Sequence, residues 1–304
     1  MVAKALTKSK ETLTHVDLSS NRFEYQGAKV ILEALKFNSH LHTFHFSSNE
    51  VGWQGLTLIL SSLQFHSTLT VLNLSGNRIE TDGAEMIFKS LQFSPSLQVL
   101  DLSMNRISIE GAKWIAKLLK CNRTLTDVDI SGNIIQFDGA LALVEALQKN
   151  SSVTSLNITD NKILMDRDEF VSMSLQFNSS LKSLLLSENI VSGKLILENI
   201  NLTNLDLSGK KMTFIPKSLY FLGNGIRSIE SIANNYNLTA LNLSYNHISC
   251  DGAKAISKSF KSNSNLTFLN LTYNEFGDDG ARSISEFIQC TTTLTTLHLS
   301  DNKI

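Results

Sequence analysis

Cysteine and proline are scarce in this chain. Three cysteines in 304 residues, Cys121, Cys250 and Cys290, are odd in number and scattered, which excludes a disulfide framework. They read as small hydrophobes in helix or loop. The chain is accordingly expected in the cytoplasm, outside the oxidative folding pathway. Asn-x-Ser/Thr triplets at Asn73, Asn122, Asn157, Asn242 and Asn270 agree, because glycans there would crowd an exposed face. With two prolines and no linker-like run of Gly, Ser or Pro, nothing divides the chain, so residues 1–304 are expected as one domain. An excess of either charge is missing too: 27 Lys and Arg against 28 Asp and Glu leave a net charge of -1. That balance argues against nucleic acid or an acidic membrane surface as partner. No apolar run reaches spanning length, and residues 1–12 lack the apolar centre of a signal peptide. HExxH, CxxC and the phosphate-loop motif are absent, so no enzyme activity and no cofactor is expected.

What fills the chain is a repeat. Eleven copies of LxxLxLxxN begin at Leu13, Leu41, Leu69, Leu97, Leu125, Val153, Leu181, Leu202, Leu238, Leu266 and Leu294, and the first seven starts are 28 residues apart. Such a period marks a solenoid, in which one unit buries its apolar face only against its neighbours. In the copy from Leu69, Leu72 and Leu74 alternate with Val71 and Asn73, which predicts a short strand with leucines on one face. Asn77 ends it, and asparagine recurs at that position in ten copies, with Lys210 the exception. Its amide is suited to backbone groups of stacked loops. Gly83-Ala84 and parallel pairs then mark the turn into a helix, with Ile87 and Leu91 as its inward stripe. Asn38, Asn122, Asn150, Asn178 and Asn263 fall near helix ends, where a left-handed cap is expected. Right-handed crossovers put the helices on one side of a parallel sheet. Strands lie about 4.8 Å apart and helices about 8 to 10 Å, so the stack bends into an α/β horseshoe with a concave sheet and convex helices.

The full unit, LxxLxLSxNxIxxxGAxxIxxxLxxN, resembles the ribonuclease-inhibitor-like class of leucine-rich repeat across residues 13 to 304. The resemblance implies a non-enzymatic protein-interaction module that binds through its concave face. Extracellular members of the wider family usually carry cysteine-rich caps, which this chain lacks. The low proline and the Asn-, Lys- and Ser-rich repeats look like leucine-rich-repeat effectors that intracellular bacteria deliver into host cytoplasm. A second reading is a regulator of a small GTPase, since Ran GTPase-activating proteins are similar horseshoes. Against it stand the even 28-residue spacing and the want of an acidic tail, and that family's functional residues find no one-by-one match here.

The repeat breaks across residues 181–237. Only twelve residues separate Asn189 from Leu202, too few for a helix and return. The next copy is 36 residues long and carries Ile215-Pro216, which resembles short repeats whose outer side is extended. A flatter arc and the weakest junction of the stack are expected there. Two readings stand for it, a tolerated insertion and a protruding contact loop. At the other end, residues 297–304 supply a strand and ladder asparagine with no helix, so a longer native protein or edge-mediated association is expected.

Function is sought on the sheet face whose side chains the core does not need. Asp101, Asp129 and Asp206, with Asp17 and Asp127, make that face acidic, while Arg22, Arg78, Arg106 and Lys303 follow the ladder asparagines along a rim. A partner protein with a basic surface is expected, and phosphates would be repelled. The alternative is that LDLS is merely the repeat consensus. His15, His42 and His45 gather near Asp17, but an open sheet excludes no water for catalysis. The sharpest expectation concerns Tyr245, Phe268 and Tyr273, read as outward concave-face aromatics on adjacent strands about 4.8 Å apart, with Asn242 and Asn270 as hydrogen-bonding neighbours. Their make-up is that of a binding hot spot, against the alternative of ordinary scattered surface aromatics.

Overall fold

A computed structural model of the chain describes residues 12–23, 25–36, 38–63, 66–165, 178–187, 189–191, 203–206, 208, 238–246, 248–261 and 263–304. It divides into two compact units, Met1–Leu156 and Asn157–Ile304. In the first, β1 (His15–Asp17), β2 (Thr43–His45), β3 (Val71–Asn73), β4 (Val99–Asp101) and β5 (Asp127–Asp129) pair in parallel, each with the next. The register aligns Val16, Phe44, Leu72, Leu100 and Val128 in one buried row. Each strand is three residues long, so a single central side chain enters the core while its two neighbours face the other way. Between them run α1 (Tyr25–Leu35), α2 (Gly52–Leu63), α3 (Glu80–Leu91), α4 (Ile109–Cys121) and α5 (Gln136–Leu147). β6 (Ser155–Asn157) lies across the boundary between the units.

The second unit repeats the plan. β8 (Ser183–Leu185), β10 (Asn204–Asp206), β11 (Ala240–Asn242), β12 (Phe268–Asn270) and β13 (Thr296–His298) pair in parallel, and α6 (Cys250–Phe260) and α7 (Gly277–Cys290) pack beside each other. β7 (Leu164–Met165) and β9 (Ile190–Val191) form a separate parallel pair. Leu164 stands 28 residues after Gln136, which begins α5, so this repeat departs from its predecessor at the point where the helix would start. The expected extended segment around Pro216, and the change at Arg167-Asp168, lie outside the described residues.

Most Gly-Ala pairs open their helix for a steric reason. A Cβ on Gly83, Gly111 or Gly280 would come within 2.3, 2.7 or 2.5 Å of the residue four before it, Ile79, Ile107 or Phe276. Gly139 would also meet the Ala112 methyl of neighbouring α4 at 2.9 Å. Small residues therefore let the first turn close over a buried side chain. Ser108 caps α4 by accepting from the Gly111 amide, and Ser249 does the same for α6 through Gly252.

The asparagine ladder is built as the sequence suggests. Asn105 is fully buried, its Nδ2 donates to the Leu74 carbonyl of the preceding repeat at 2.9 Å, and its Oδ1 accepts from the amides of Asn77 (2.8 Å) and Ile79 (3.3 Å). Asn133 serves Asn105, Ile107 and Leu102 in the same way. Asn189 serves Asn161, Ile163 and Ile158. Replacing Asn105 with alanine strands two buried donors, the Asn77 and Ile79 amides, so a loss of about 3 kcal/mol is expected in denaturant unfolding. Exposed Asn21, whose Nδ2 reaches only carbonyls of its own turn, Leu18 and Ser19, should cost well under half of that. Equal losses would show that the ladder bonds contribute nothing beyond the turn.

The second asparagine series corrects the expected left-handed cap. Asn122 is extended (φ -72°, ψ 143°), and none of the five has positive φ. Its side chain does the work instead, with Oδ1 accepting from the Thr124 and Leu125 amides and Nδ2 donating to the Leu91 carbonyl of the repeat before. His66 holds this position in the second repeat. Its Nε2 donates to the Leu35 carbonyl at 3.1 Å, while buried Nδ1 has no partner. Burial pushes His66 below the ordinary imidazole range, against the opposing effect of the Leu35 carbonyl. With the folded value lowered, the unfolded chain binds the proton more tightly. The stability from neutral His66 is complete above the ordinary value of about 6.5 and is lost as pH falls through the folded value. His66→Asn should gain about 1 kcal/mol and melt with a smaller drop between about pH 7.5 and about pH 5. An unchanged acid sensitivity would mean that His66 is not what titrates.

Candidate functional site

The strand ends and the turns after them carry the side chains that the core leaves over. Asp101, Asp129 and Asp206 close their strands, and each uses one carboxylate oxygen to accept from the amide two residues on, Ser103, Ser131 and Ser208, at 2.8 to 2.9 Å. Asn242 and Asn270 do the same for Ser244 and Thr272. Sequence reasoning missed this local role, although the recurrent Asp/Asn-x-Ser/Thr spacing is the signal of an Asx turn. Asp17 shows its electrostatic effect: hydrogen bonds from the Ser19 amide and then its hydroxyl hold the carboxyl below the usual carboxylate range. His45 pairs in register with Asp17. Among the described residues, no three His, Cys, Asp or Glu side chains gather to hold a metal ion.

Three residues after the strand-closing Asp or Asn, the chain turns left-handed. This position is Ser20, Ser48, Gly76, Met104, Gly132, Asp160, Tyr245, Tyr273 and Asp301, with φ between 50° and 66° throughout. Glycine takes it freely, whereas a large side chain there is strained by about 1 to 2 kcal/mol. Two tyrosines nevertheless occupy it in consecutive repeats. Tyr245 and Tyr273 are 45% and 49% exposed, and their rings stack with centroids 4.6 Å apart and planes 10° from parallel. The Tyr245 amide donates to the Thr272 carbonyl and the Tyr273 amide to the Ser300 carbonyl, so both backbones are tied to the following repeat.

The structure thus brings Tyr245 and Tyr273 together on the turn, just beyond the strands. Phe268 sits within β12, half-buried, in register with Ala240 and Thr296, and its ring meets His298 at 5.5 Å. An open depression of about 480 Å³ lies against the tyrosine pair and is otherwise lined by Asn246, Asn274, Glu275, Asp301 and Lys303. Lys303 is 3.7 Å from Glu275, both exposed. Asp101 and Asp129 belong to the first unit and Asp206 to the second, apart from this depression. Trp114, on the helix side, stacks on Phe88 and carries Lys117 over its ring, as befits a packing residue.

A parallel sheet of three-residue strands, a series of asparagines buried at the strand exits and helices on one side together define a leucine-rich-repeat solenoid. The leucine-rich-repeat family model matches residues 9–32, 65–88, 93–116, 121–144, 149–163, 234–257, 262–285 and 291–304, more than half of the chain. The chain belongs to the leucine-rich-repeat family. No curated protein matches it. Among solved structures it is similar to the leucine-rich-repeat protein LegL7 of Legionella pneumophila, at 20% identity and a TM-score of 0.57, covering 97% of this chain and 85% of that one. An internalin, InlF, of Listeria monocytogenes matches at 17% identity and a TM-score of 0.43, over 97% and 88%. At these identities the likeness to LegL7 shows the fold. Repeats of this family make protein-interaction modules, and among the described residues no helix is long and apolar enough to cross a membrane.

The left-handed position allows the tyrosines to be separated from the framework. Met104→Gly should raise stability by about 1 kcal/mol, because it relieves the backbone and removes only an exposed side chain. For Tyr273→Gly the relief is opposed by the lost ring stack, so stability should stay within about 1 kcal/mol of the parent. A loss beyond about 2 kcal/mol in denaturant unfolding would make Tyr273 a structural residue.

Proposed function

We propose that the chain is a non-enzymatic binding module that holds a partner protein on the helix-free side of its sheet. Tyr245 and Tyr273 anchor the contact, and Phe268, Asn242 and Asn270 lie beside them on the strands. The observation that carries this reading is the exposed tyrosine stack held on a strained backbone. Neither ring is buried in the core, and either residue could be replaced by glycine with relief of the turn. Strain kept at an exposed aromatic pair is the kind that functional surfaces retain. Tyrosine also brings large contact area at low entropic cost, which is why it is enriched among binding hot spots.

The carboxylates support the identity of the partner. Asp101 and Asp129 in one unit and Asp206 in the other each commit one oxygen to a turn and keep a negative charge at a strand end of their own unit. A basic protein surface is attracted to them, whereas phosphates of nucleic acid or of an anionic membrane are repelled. Low proline and Asn-, Lys- and Ser-rich repeats support a further reading, an effector that acts on a host protein in the host cytoplasm.

The test is affinity capture from cytosol followed by measurement of the purified pair. Tyr245→Ala with Tyr273→Ala should leave the fold intact by circular dichroism and weaken binding at least tenfold, about 1.4 kcal/mol. Unaltered affinity for a partner that the parent binds stoichiometrically would move the contact elsewhere.

A further inference from the structure

We propose that the depression beside Tyr273 receives an arginine side chain of the partner protein, its guanidinium stacked on the tyrosine pair and paired with Asp301 and Glu275. This rests on the tyrosine surface being the contact surface and specifies what that surface accepts. The argument begins with spacing. Tyr245 and Tyr273 occupy the same position in consecutive repeats, and their 4.6 Å ring separation matches the strand spacing of about 4.8 Å. The stack is therefore drawn by the backbone pitch. The next copy of that position is Asp301, left-handed like the tyrosines at φ 55°. Its side chain is too short to extend the stack, and the depression opens beside it, lined from Tyr273 across to Asp301, Glu275 and Lys303.

A planar group lying on the outer face of Tyr273 would continue the ring series one pitch further, directly over the Asp301 carboxylate. The charge at that place selects among planar groups. Glu275 and Asp301 outnumber Lys303, so the lining carries a net negative charge and an anion is disfavoured. A neutral ring would desolvate the carboxylates without replacing their hydrogen bonds. A guanidinium satisfies both demands, since it stacks on aromatic faces and offers a planar fork of donors to carboxylates. An ammonium does less. Lys303 already brings one to Glu275 at 3.7 Å, in an exposed pair weak enough to yield to a better-oriented donor.

The experiment titrates the whole chain, with its tyrosine rings isotope-labelled for NMR, with three acetylated tripeptide amides: Gly-Arg-Gly, Gly-Lys-Gly and Gly-Glu-Gly. The arginine peptide should shift the Tyr245 and Tyr273 ring signals saturably, the lysine peptide should bind at least about threefold more weakly, and the glutamate peptide should leave them unmoved. Asp301→Asn should weaken arginine binding at least about fivefold at unchanged ring stacking. Tyr273→Gly should abolish it, and glycine suits the left-handed backbone, so misfolding does not confuse the result. No saturable shift, equal response to arginine and glutamate, or binding retained in both variants overturns the proposal. If the arginine peptide fails while the captured partner still loses tenfold affinity in the double tyrosine variant, the contact surface stands and the arginine assignment falls. A partner indifferent to the tyrosines overturns both.

Discussion

The asparagine buried at one strand exit after another is the interaction on which the rest of the structure depends. Where a three-residue strand ends, the chain must leave the sheet while its amides and carbonyls are still inside the stack, out of reach of water. An unmet group there costs about 1 to 3 kcal/mol. The carboxamide answers with both of its ends, Nδ2 to carbonyls and Oδ1 to amides, as Asn77, Asn105 and Asn133 do in succession. Because the partners belong to the preceding repeat, satisfying one turn also fixes the distance to the next. Registration of the strands and continuity of the core follow from that.

The ladder also dictates which side chains are free to recognise something. Holding the asparagine inward puts the residue before it into the left-handed region at each described rung, and at many rungs the residue after it too: Ser48 and Glu50 around Asn49, Met104 and Arg106 around Asn105, Asp301 and Lys303 around Asn302. Side chains at these positions leave the core and line up one repeat apart. The stacked tyrosines and the rim of basic residues are two products of one backbone constraint. The acidic strand ends have a double character for the same reason. Each carboxylate accepts an amide of the turn, which is a structural task, and its second oxygen keeps the charge. LDLS is thus a repeat consensus because of its turn, and its carboxylate keeps a charge at the strand end whatever that charge meets.

Much of this was legible in the chain. The 28-residue period placed the strands, the ladder asparagines and the glycine-led helices, since each repeats a local rule under the same neighbours. Four features were hidden. The left-handed turn position carries Ser, Gly, Met, Asp or Tyr, and without a glycine in every copy its backbone state leaves no mark in one sequence. Asn122 and its equivalents suggested a left-handed cap because that is what asparagine does at an isolated helix end. Here the next strand begins almost at once, so an extended backbone with side-chain bridges satisfies more groups. His66 draws no notice in the sequence, because only its 28-residue offset from Asn38 reveals the series it interrupts. Tyr245 and Tyr273 read as outward strand residues like Phe268, but a strand of only three residues ends before them and leaves both on the turn.

Placing recognition on the turn has a consequence for how such a chain changes its partner. Contacts in a solenoid are between neighbours, so a substitution is felt over one repeat on either side and little beyond. At a strand centre such as Leu241 or Leu269 that effect is a cavity in the core, and at a ladder asparagine it is a set of stranded backbone groups. At the left-handed position it is neither. The backbone there is held by the Asx turn before it and the amide after it, and the side chain contributes only strain and surface. Residues as different as Gly132, Met104 and Tyr273 satisfy the same fold at that place. Binding chemistry can thus be rewritten one rung at a time without disturbing what holds the rungs together.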